Sequence, residues 1–159
     1  MALSAKLVGT HYRYPDYYLV EREKVREFAR AVQNNDAAFF DDDVAADLGY
    51  KGAPAPLTFL SRFSYTAQRA MFESANIGIA DQKIVQVDQV VKCLKPVTAG
   101  DKLYCEVFVD EVRQAHGTDI IVNKVVFTDE DGQIVQETYT TLAGRSEEDG
   151  ESGFNDGVA

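Results

Sequence analysis

Between Glu21 and Val32 the apolar residues Val25, Phe28, Ala29 and Val32 recur at i, i+3, i+4 and i+7, the spacing of one helix face. Glu27 and Arg30 fall on the outer side as a solvated pair. A short helical turn is expected over Asp43–Leu48, stopped by Gly49. The breaker cluster GAPAP, Gly52–Pro56, then leads into the apolar stretch LTFLSRFSYTAQRAMF, Leu57–Phe72. Pro56 suits a helix's first turn, where a missing N–H costs nothing. This second helix is apolar over more than half its circumference, with Leu60, Phe63, Ala67 and Met71 as its greasiest stripe, which predicts deep burial.

After Gly78 the period changes to two. Strands are expected over Lys83–Lys95, Lys102–Val112, Thr118–Asp129 and Gln133–Gly144, with turn signals at His116-Gly117 and Asp131-Gly132. In the second strand Leu103, Cys105, Val107 and Val109 alternate with Tyr104, Glu106, Phe108 and Asp110, so one sheet face belongs to a core. Helices first and a four-strand antiparallel meander afterwards make an α+β chain, and a curled sheet wrapped around the long apolar helix covers that helix most economically. Such a small sheet leaves an open edge, which pairing with a second sheet would close; a dimer is expected.

Composition narrows the function class. At 159 residues and 45% apolar content the chain makes one domain with a substantial core. A net charge of −10 argues against nucleic acid as a partner. Arg145–Ala159 is acidic, glycine-bearing and aperiodic, and reads as a disordered tail beyond a single domain over residues 1–144. No run is long and apolar enough to span a membrane and the first ten residues lack a signal pattern, so a cytoplasmic location is expected. Cys93 and Cys105 are read as reduced, buried residues rather than a disulfide. No cluster has metal-ligand spacing, and no cofactor is indicated.

Three stretches resemble the MaoC-like dehydratase/hydratase family of the hot-dog fold: QNNDAAFFDDDVAADLG, GAPAPLTF, and LKPVTAGDKLYCEV. The likeness runs from about Leu7 to Gly144. The phrases HYRYPDYYLVEREKVREFA, QIVQVDQ, AHGT and QETYTTLAGR make it most similar to the A-type subunits of mycobacterial (3R)-hydroxyacyl-acyl-carrier-protein dehydratase. The resemblance implies a hot-dog sheet around a buried helix. It also implies a heterodimer with a catalytic hot-dog subunit, acting on long 3-hydroxyacyl chains in type II fatty-acid elongation toward mycolic acids.

Removing water from a β-hydroxyacyl thioester needs a base for the C2 proton, an acid for the leaving hydroxyl, and N–H groups on the thioester oxygen. Active family members supply base and acid from a G-D-x-N-P-x-H pattern. Laid on Gln33–Phe39, that pattern puts Asn34 at the aspartate, Phe39 at the histidine and Ala37 at the proline. A benzyl ring carries no proton and an amide does not titrate, so no catalytic residue is expected in this chain. His11 and His116 fall in a lead-in segment and a turn, away from this rim, and Asp41–Asp43 reads as a solvated helix entry.

Substrate contact is expected instead from Phe39 and Phe40 at a pocket mouth, and from Leu57, Thr58, Ser61 and Ser64. Leu57 and Thr58 offer N–H groups where Pro56 has removed one; Ser61 and Ser64, in a row with Leu57 and Gln68, leave space beside the helix, or equally let it approach the sheet. The expected function is thus an acyl-binding, stabilising subunit. Two alternatives remain: a self-sufficient hot-dog thioesterase or hydratase using a carboxylate such as Asp36, and a lipid-binding homodimer. The acidic balance further places the docking patch for an acidic carrier protein on the other subunit, rather than at Lys51, Arg62 or Arg69.

Overall fold

The computed structural model describes residues 5–79, 83–145 and 153–155. Two short strands, β1 (His11–Arg13) and β2 (Tyr18–Leu19), precede helix α1 (Arg22–Ala31) and the six-residue α2 (Asp42–Asp47). The long helix α3 covers Ser61–Ser74. Strand β3 (Gly78–Ile79), the four long strands β4 (Ile84–Cys93), β5 (Lys102–Ala115), β6 (Thr118–Thr128) and β7 (Ile134–Arg145), and β8 (Phe154–Asn155) complete the order.

The expected curled sheet around one helix is present: a six-stranded antiparallel sheet runs β1-β5-β6-β7-β4, with β2 also on β5. Register shifts at Val109/Glu111 and Gln86/Asp88 break the ladders and increase local twist and bend. Leu103, Cys105, Val107 and Val109 are buried, as their alternation requires, and meet Leu60, at the cap of α3, and Phe63, Ala67 and Met71 of α3 in the main core. At the β5–β6 turn both His116 and Gly117 have positive φ, the backbone that a tight two-residue hairpin needs.

Several expectations are corrected. Only β5, β6 and β7 form a meander; β4 pairs with β7 on the far side, because the connection through residues 94–101 crosses the sheet rather than turning back on itself. The buried helix begins at Ser61, not Leu57: Phe59 N–H donates to Pro56 and Ser61 N–H to Thr58, a tighter turn that precedes the α-helical bonds. Val32 is exposed, since α1 rests on the body through Val25 and Ala29 and its face ends there. Cys105 is buried, with its thiol pushed up to about 12 by desolvation, but Cys93 is exposed on β4; both are free. Of the expected tail, residues 146–152 and 156–159 lie outside the described residues. Phe154 and Asn155 do not form a solvated end but pair antiparallel with β3, and Phe154 is buried.

Among the described residues strand β4 is the open edge of the sheet, with Val85, Val87 and Val90 exposed along it. The opposite edge is covered by β1 and β2. No described helix is long and apolar enough to cross a membrane.

Candidate functional site

The rim segment is built by its own side chains. Asn34 Oδ1 accepts from Asp36 N–H at 3.3 Å, and Asp36 Oδ1 accepts from Ala38 N–H at 3.0 Å, capping a single 3-10 turn over Ala37–Phe39. Asp41 Oδ1 accepts from the N–H groups of Asp43 and Val44 and starts α2, as a helix-entry cluster should. Phe40 is held against α1: Arg26 donates to its carbonyl at 2.6 Å, and the Arg30 guanidinium lies 5.3 Å from its ring centroid. Asn34 and Asp36 are exposed, and Phe39 and Phe40 half-buried.

A separate cavity of about 450 Å³ opens between α3 and the edge of the sheet. Helix α3 contributes Ser61, Tyr65, Gln68, Arg69 and Phe72 to its wall. The strands contribute Ile79, Ile84, Gln86, Gln89, Thr140 and Leu142. Of the expected substrate contacts only Ser61 lines this space. Phe39 and Phe40 do not, because the Arg26 and Arg30 contacts hold Phe40 and its turn on α1. Leu57 is 71% exposed and Thr58 is exposed too; both sit in the turn before α3 rather than on it. Ser64 lies one layer behind the wall.

Behind the wall is a polar chain. Asn123 Nδ2 donates to Gln68 Oε1 at 3.0 Å, and Gln68 Nε2 donates to Ser64 Oγ at 3.0 Å, all three residues buried. Thr140, opposite Asn123 in the ladder, lies within 3.5 Å of Gln89 Nε2. Among the described residues Asn123 Oδ1 and both carboxylate oxygens of Asp119 are buried without a hydrogen-bond partner. The lining contains neither histidine nor carboxylate. Phe72, Ile79, Ile84 and Leu142 make an apolar part of the lining, while Ser61 and three glutamines supply hydroxyl and amide groups. Such a surface can hold a chain with a polar head; it offers no group that titrates as a base near neutral pH. The sequence reading missed the strand half of this wall. Alternation in QETYTTLAG carried the signal, since it puts Gln136, Thr138, Thr140 and Leu142 on one face.

The two histidines lie elsewhere. His11 stacks on Phe108 at 4.5 Å with Glu106 3.5 Å away, on β1 and β5, and His116 is in a hairpin turn. A second depression of about 540 Å³, between α1, α3 and the tyrosine-rich lead-in, is lined by Tyr14, Tyr18, Phe28, Phe59 and Phe63 among others. These rings pack on one another, Tyr18 against Phe63 at 5.0 Å and Phe28 against Phe59 at 5.5 Å, which explains the tyrosines as packing. Among the described residues no cluster could hold a metal ion.

Comparison with known proteins fits this architecture. The family model of the FAS1-like dehydratase domain region matches residues 6–138. A UPF0336 protein of Mycobacterium tuberculosis is 66% identical over 159 residues, all of both chains, and one of Mycobacterium leprae is 64% identical over the same span. Among solved structures, the C-terminally truncated HadBC (3R-hydroxyacyl-ACP dehydratase) complex of M. tuberculosis is similar with a TM-score of 0.83 and 44% identity, covering 89% of this chain and 100% of that one. A MaoC-like dehydratase follows at 0.81 and 41%, covering 88% of this chain and 42% of that one. The buried helix, the curled sheet and these likenesses together mean that the chain belongs to the MaoC-like hot-dog dehydratases, in the FAS1-like dehydratase-region family.

Proposed function

We propose that this chain is the acyl-binding, non-catalytic half of a heterodimeric (3R)-hydroxyacyl-ACP dehydratase, working in type II fatty-acid elongation toward mycolic acids in the cytoplasm. The observation that carries this reading is what stands at the two proton-transfer positions. Asn34 is an amide spent on a backbone N–H, and Phe39 is a benzyl ring. The lining of the cavity beside α3 agrees, since it carries neither the carboxylate nor the histidine that the family's proton transfers use.

The heterodimer has two supports. The similar HadBC structure is a complex of two chains, and β4 presents an unpaired edge with three exposed valines directly beside the cavity. A catalytic hot-dog partner on that edge would close the cavity's open side and bring its own base and acid to it. Each methylene of an acyl chain buried there contributes about 0.8 kcal/mol, which makes the non-catalytic half a selector of long substrates. Lys51 and Arg69 are already ion-paired with Asp101 and Glu73, which supports placing the carrier-protein dock on the partner. Asp36, the candidate for a self-sufficient thioesterase, is an exposed cap, and its geometry gives that alternative no support.

The test is co-expression with candidate hot-dog subunits that retain the Asp and His, followed by a hydration–dehydration assay across acyl lengths. The isolated chain should show no turnover, and the pair should show it. Sustained turnover by the isolated chain would refute the proposal.

A further inference from the structure

Residues Gly153–Asn155 return to the body of the protein at one end of the cavity. Phe154 pairs with Ile79 in the β3–β8 ladder, Gly153 N–H donates to the Arg145 carbonyl at 3.0 Å, and the Phe154 ring is buried in the main core. Two glycines make its seat. A Cβ on Gly144 would fall 2.8 Å from Cε2 of the ring; one on Gly153 would fall 2.9 Å from the Gly144 Cα and 3.2 Å from Ile84 Cγ1. No side chain other than hydrogen fits at either position with the ring in place.

The strap touches two residues that line the cavity, Ile79 and Ile84. Among the described residues β3 has no ladder partner but β8, so the position of Ile79 depends on the strap. Ile84 opens β4 opposite Gly144, the residue under the ring. We propose that Phe154 sets the depth of the cavity: by bracing Ile79 and Ile84 from behind it fixes the longest acyl chain that fits. The inference rests on the acyl-binding reading and adds a positioning residue for length selection. Asp119 limits how far the wall could retreat. It faces Gly144 across the β6–β7 ladder, on the same side as the ring, buried and without a hydrogen-bond partner among the described residues, so methylenes pushed past the seat would meet a carboxylate.

The experiment uses the full chain co-purified with its catalytic partner. A fluorescent fatty acid bound to the complex is displaced by saturated fatty acids of increasing length, for wild type, Phe154→Ala and Phe154→Leu. In wild type, affinity should rise about fourfold per methylene to a limit and then fall. Phe154→Ala should move that limit to longer chains by roughly two carbons or more while leaving the slope below it unchanged, and Phe154→Leu should move it less. A purely structural role would instead lower affinity equally at all lengths; a limit that stays put in both variants overturns the proposal. Should the alanine variant fail to fold, as a melting curve would reveal, Phe154→Leu alone decides. Wild-type binding that ignores chain length would remove the acyl-binding reading and this inference together, whereas an unmoved limit removes only the latter.

Discussion

The rim Gln33–Asp43 and the cavity wall beside α3 both carry side-chain amides, yet they use their polar groups in opposite ways. On the rim, Asn34, Asp36 and Asp41 each accept from a backbone N–H within three residues, so their polarity holds up a local turn in full contact with water. In and behind the wall, Asn123 bonds Gln68 across fifty-five residues of sequence and Gln68 bonds Ser64, side chain to side chain, with all three residues buried. The same residue types thus make an exposed scaffold in one region and a costly, specific polar network in the other.

That difference can be broken from the wall first. Asn123→Ala should cost about 2–3 kcal/mol in urea unfolding, because it leaves the Gln68 amide without its donor and opens a gap. Asn34→Ala on the rim should cost a small fraction of that. Equal losses would mean that the two networks are energetically alike. Next comes Asp119→Val, which replaces a buried carboxylate without a hydrogen-bond partner among the described residues by a strand-forming side chain; a gain of about 2 kcal/mol is expected, read as a raised Tm. A fall in Tm would indicate that Asp119 is satisfied in the assembled protein. Asp41→Ala sharpens the rim side with the smallest effect, a loss of about 1 kcal/mol from the uncapped α2, with acyl binding unchanged. A change in binding would place the rim in the site after all.

How much of this was legible beforehand follows the same division. Periodicity found α1, α3 and the four long strands, since each buries a face whose spacing is printed in the residues: Val25 and Ala29 in one, Leu103 to Val109 in another. What it missed depends on distant pairing. Nothing local distinguishes β4 paired with β7 from β4 paired with β5, and hence the strand half of the cavity wall went unread. Aromatic pairs at a loop also look alike whether they line a groove or are latched to a helix, and Phe40 turned out to be latched by Arg26 and Arg30. Phe154 was hidden by its acidic neighbours, because composition averages over a window while one ring needs only one seat.

The bare margin of β4 has a consequence for supply inside the cell. A row of outward valines on unsatisfied backbone is safe only while something covers it, so surplus copies made without a mate would face precipitation or proteolysis. If the proposed second hot-dog chain is what covers it, abundance of the pair is capped by whichever chain is scarcer, and matched production of the two becomes a condition for keeping either.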